Sequence, residues 1–99
     1  MTKQSNKVRA LSGVEVDLEA CRPFFAAKNA ALARRSAAYG NLFRCAIRAR
    51  MNTSHEAHAR VVAAIAEVQA ADRANNEATA ALDAHLTAAL HAQQTGGPK

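Results

Sequence analysis

Met51-Asn52-Thr53-Ser54-His55-Glu56 breaks the helical pattern of this chain. Asn, Thr and Ser side chains compete with the backbone for hydrogen bonds, so they interrupt helices and cap new ones. Thr53-Ser54-His55-Glu56 matches the S/T-x-x-E capping box, in which hydroxyl and carboxylate satisfy the first free amides of a helix. Long helical patterns lie on both sides. A short break between two long helices predicts an all-α helical hairpin, with helices over residues 23–51 and 54–94.

Downstream of the break, Ser54 to Gln94 contains no Gly or Pro, and alanine dominates. A continuous helix here is a rod of ~60 Å. Its spacing follows a 4-3 alternation: Val61, Ile65 and Val68, then Asp72, Asn75 and Thr79, then Leu82, Leu86 and Ala89. The two ends read as coiled-coil seams and the middle as a polar, register-setting layer. A bend near Asn75-Asn76 is the alternative, and continuity is the expectation. Glu56 and Arg60 form an i,i+4 pair in the favourable order. Thr95-Gly96-Gly97-Pro98-Lys99 ends the helix as a short disordered tail.

Upstream, Pro23 lacks an N–H and disfavours helix at Arg22, so the long helix is expected to restart at Pro23. Ser12-Gly13-Val14-Glu15 is a weaker capping box, and a short helix over 13–21 is expected after it. Residues 1–11 are polar, basic and aperiodic, the pattern of a flexible tail, so 12–94 forms one helical domain. At 100° per residue, Phe25, Leu32, Tyr39, Phe43 and Ile47 fall on one stripe of the 23–51 helix, with Phe24 and Leu42 beside it. Those aromatics are expected to be core. Gly40-Asn41 is the weak point of the helix.

Apolar residues make up 49% of the chain, yet more than half of them are alanine. So few large apolar groups make a single hairpin marginal, and self-association is the expected remedy. The 54–94 helix is expected to overshoot its partner. Val61, Ile65, Val68, Leu82, Leu86 and Leu90 are the expected self-association surface, forming a dimeric helical bundle.

Charge supplies the functional signal. The net charge is +5, and between Glu19 and Glu56 there is no acidic residue. Within that segment sit Arg22, Lys28, Arg34, Arg35, Arg44, Arg48 and Arg50, together with all four aromatics. A one-signed block interleaved with aromatics points to an acidic partner surface. The expected function is therefore non-catalytic: a small interaction or regulatory protein of adaptor or inhibitor type, binding an acidic protein through these residues. The alternative is a small nucleic-acid-binding regulator using the same arginines on phosphates. A structural account competes with both, in which the arginines pair with Glu67, Asp72, Glu77 and Asp83 of the other helix.

Catalytic and metal signatures are weak. His55-Glu56-Ala57-His58 falls one residue short of H-E-x-x-H, and its i,i+3 histidines have no evident further ligands. His85 and His91 lie on different helical faces. There is no nucleophile–base set and no glycine-rich phosphate loop, so no enzyme, cofactor or small-molecule substrate is expected. Cys21 and Cys45 do not make a disulfide scaffold. With no signal peptide and no membrane span in the pattern, a cytoplasmic location is expected. The Ala- and Arg-rich composition suggests a bacterial or phage origin.

Overall fold

The computed structural model describes residues 7–9 and 15–96. It is an all-α hairpin built from α1 (Leu18–Met51) and α2 (His55–Gly96). At 1.5 Å rise their 34 and 42 residues make antiparallel rods of about 51 and 63 Å. The longest dimension is 70 Å.

The turn sits where the capping residues place it. The Asn52 N–H donates to the Arg48 carbonyl at 2.9 Å and closes α1. The Ser54 hydroxyl then accepts from the Ala57 amide at 3.0 Å and opens α2. The cap is therefore Ser54 rather than Thr53, whose hydroxyl instead donates back to the Ala49 carbonyl. Glu56 falls one position early for a capping box. α2 runs unbroken through Asn75-Asn76, as expected, and reaches Gly96, two residues beyond the expected end.

The N-terminal expectations need correction. Glu15–Asp17 is a strand, paired antiparallel with Lys7–Arg9 within the stretch read as tail, so the short helix over 13–21 is not formed. Ser12 and Gly13 lie outside the described residues. The register sets Lys7 opposite Asp17, Val8 opposite Val16 and Arg9 opposite Glu15. Helix α1 starts at Leu18 and passes through Pro23 without restarting. Asp17 is its cap, accepting from the Glu19 and Ala20 amides at 3.0 and 3.3 Å. Two contacts downstream hold these first turns in place. Cys21 is 1% exposed, and Phe24 stacks on His85 of α2 with ring centroids 4.6 Å apart. Both act against the ~3 kcal/mol that an internal proline costs.

The largest correction concerns the core. The buried residues are Cys21, Ala31 and Ala38 on α1, and Ala57, Ala64, Val68 and Ala71 on α2. Ala38, Val68 and Ala71 form the centre, with Leu42 packed against them. On α2 the spacing 57, 64, 71 interleaved with Val61 and Val68 is a heptad seam. Small side chains let the backbones approach closely, so the seam follows the alanines rather than the large residues. Phe25, Leu32, Tyr39 and Ile47, expected as core, are 41–43% exposed, and Phe43 is 67% exposed. Val68 of the expected self-association set is instead spent in the hairpin's own core. Val61, Leu82, Leu86 and Leu90 are half-buried, and Ile65 is exposed. Because α1 begins at Leu18, α2 overshoots it by less than expected.

Candidate functional site

The polar middle of α2 has partners on α1. Lys28, half-buried, donates through Nζ to Asn75 Oδ1 at 3.0 Å and also to the Thr79 hydroxyl. Arg35 Nε donates to Asp72 Oδ1 at 2.7 Å, and the Tyr39 hydroxyl donates to Asp72 Oδ2 at 3.0 Å. The Arg35 guanidinium also lies over the Tyr39 ring, 5.1 Å from its centroid. Asp72, Asn75 and Thr79 thus form a cross-hairpin polar layer that sets the pairing of the helices.

On the opposite edge of the seam, Arg34 grips Glu67 through two donors, Nε at 2.8 Å and Nη2 at 3.0 Å. The Arg34 hydrogen bonds hold the Glu67 carboxyl below its ordinary range, and Arg35 does the same for Asp72. Reciprocally, both guanidinium pKa values are raised, first by the hydrogen bond and then by the charge of the carboxylate. Near the start of α1, Arg22 pairs with Glu19 at 3.0 Å. Four of the seven expected contact residues are therefore engaged within the chain: Arg22, Lys28, Arg34 and Arg35. The structural account of the arginines holds for Arg34 and Arg35.

Arg44 and Arg48 are different. One turn apart on α1, they meet Arg60 of α2 around a concavity of about 100 Å³, completed by Asn41, Cys45 and Ala57. No carboxylate lines it. Arg44 and Arg48 also border an outer hollow with Ile47, Met51 and Asn52. Ile47 is 43% and Met51 83% exposed there. Arg50 lies in the last turn of α1 and lines neither concavity.

Sequence reasoning missed Arg60, because it paired that residue with Glu56 on the same helix. Among the described residues that ion pair is not formed. The hairpin turn, which folds Arg60 back beside Arg44 and Arg48, was the available signal.

Among the described residues, no three His, Cys, Asp or Glu side chains gather into a metal-binding group. Among the described residues, no helix is long and apolar enough to cross a membrane. Both cysteines are free. Their 24-residue separation along one helix, about 36 Å, rules out a bond between them within the chain. Comparison with family models, with curated proteins and with solved structures finds no match.

Proposed function

We propose that the chain is a non-catalytic interaction protein, of adaptor or inhibitor type, that binds an acidic protein partner at the turn end of its hairpin. One observation carries this reading: Arg44, Arg48 and Arg60 converge on a concavity without a carboxylate, beside exposed Ile47 and Met51. Three clustered cations raise the local potential and attract carboxylates. The adjoining apolar side chains give such a partner an anchor. Arg and Met are enriched in protein interfaces. The fitting partner is a segment that presents carboxylates within a turn of a large apolar side chain.

Nucleic-acid binding is the second reading, favoured by the net charge and by the one-turn spacing of Arg44 and Arg48. Two features favour protein over it. The cluster occupies one end of a 70 Å rod rather than a stripe along it. A phosphate backbone also gains nothing from Met51. Two free thiols and the Ala- and Arg-rich composition support a reducing, cytoplasmic setting in a bacterium or phage.

The test is titration with a fluorescein-labelled peptide carrying glutamates and leucines at helical spacing. R44E/R48E should weaken binding by at least about 10-fold, and Met51→Ser by a smaller factor. Binding that both variants leave unchanged would remove this site.

A further inference from the structure

The concavity near the hairpin turn gathers three guanidiniums that nothing neutralises. Arg44 and Arg48 line it from α1 and Arg60 from α2. Among the described residues, these three side chains have no hydrogen-bond or ion-pair partner. Lys28, Arg34 and Arg35, by contrast, are all satisfied across the hairpin. The acidic residue nearest in sequence is Glu56, one turn before Arg60, and it neither lines the concavity nor pairs with Arg60. Arg50, in the last turn of α1, adds to the local positive potential.

Size and charge together narrow what can sit there. Pockets that enclose a whole small molecule run to ~300–1,000 Å³. This one holds about 100 Å³, so it takes one compact group. Three cations around a single carboxylate leave two charges unmatched. The phosphodiester of a nucleic-acid backbone also carries one charge and does no better. A phosphate monoester carries about −1.5 to −2 charges near neutral pH, with three strong acceptor oxygens. Guanidinium forks match such oxygens in pairs. Asn41 adds a neutral donor on the same wall. Its Oδ1 accepts from Cys45 Sγ at 3.8 Å, which leaves the amide nitrogen to donate.

We infer that this concavity seats the phosphate of a phosphorylated side chain on the acidic partner. Ile47 and Met51, which border Arg44 and Arg48, then take an apolar side chain next to it. Binding is thereby controlled by phosphorylation of the partner. The inference rests on the acidic-partner reading and adds the identity of the anchoring group.

Fluorescence anisotropy of three labelled peptides, titrated with the full chain at physiological salt, tests it. They share one Glu/Leu sequence and differ at a single position, which is serine, glutamate or phosphoserine. The phosphoserine peptide should bind at least about 10-fold more tightly than the glutamate peptide. Arg60→Gln should bring the two within about 3-fold and keep helical circular dichroism, since Arg60 is exposed and Gln is a good helix former. Unlabelled phosphopeptide should displace the tracer at far lower concentration than inorganic phosphate. Equal displacement by the two would assign the concavity to the free anion and overturn the inference. Equal affinity of the glutamate and phosphoserine peptides would overturn it and leave the acidic-partner reading standing. A phosphoserine preference that Arg60→Gln leaves intact would overturn it as well. Binding of neither acidic peptide would remove both.

Discussion

Arg35 of α1 donates through Nε to Oδ1 of Asp72 of α2, 2.7 Å away across the hairpin. With Tyr39 on the other carboxylate oxygen, this contact explains why a polar residue interrupts an otherwise apolar α2 pattern. It should also make the hairpin acid-sensitive.

The Glu67 and Asp72 carboxyls are held below their ordinary values of 4.5 and 3.8. A carboxyl with a depressed folded pKa binds protons more readily in the unfolded chain. The stability it contributes is fully present above its ordinary value and is lost as pH falls through the folded value. Thermal melts should therefore change little above about pH 5 through these groups, then fall progressively below about pH 4. E67Q/D72N should flatten that acid limb. High salt should weaken both ion pairs at neutral pH, since they are solvent-accessible.

Seam packing depends on small residues. Ala71 is fully buried, so Ala71→Leu should force the helices apart and cost about 1–3 kcal/mol in a urea titration. Gly40 faces no such constraint, because a Cβ there would meet only Arg44 Nη1 at 3.5 Å. Gly40→Ala should stabilise by ~0.5–1 kcal/mol, the ordinary difference in helix propensity. Equal effects of the two substitutions would contradict the assignment of the seam.

Lys28 joins Asn75 and Thr79. Lys28→Ala and Asn75→Ala should each destabilise, and the double variant by less than their sum, with a coupling of about 0.5–1 kcal/mol. Additive losses would mean that the layer does not act as a unit.

Much of the fold was legible in the sequence, and the reasons are local. Asn52-Thr53-Ser54 interrupts helix by side-chain hydrogen bonding, and Ser54 caps the start of α2. The absence of Gly and Pro carried α2 through Asn75-Asn76. The choice of face could not be read. Periodicity weights Phe25, Leu32 and Tyr39 by size, whereas the intrachain seam is chosen by how closely backbones approach, which favours Ala31, Ala38, Ala64 and Ala71. The site was half legible for the same kind of reason. Arg44 and Arg48 stood out by charge, but which of the seven basic residues are engaged within the chain depends on the register between helices. Cross-helix pairs such as Arg34–Glu67, 33 residues apart, leave no local trace.

The central functional claim is that the Arg44–Arg48–Arg60 cluster and its apolar border bind an acidic protein segment. Fluorescence anisotropy of the labelled Glu/Leu peptide and of a labelled duplex DNA, each titrated with the full chain at low and at physiological salt, tests it most directly. The predicted result is a peptide complex that persists at physiological salt while DNA binding is lost. Micromolar DNA binding at physiological salt, falling by about 0.9 log units per log unit of salt for each phosphate neutralised, would contradict the claim and assign the arginines to nucleic acid.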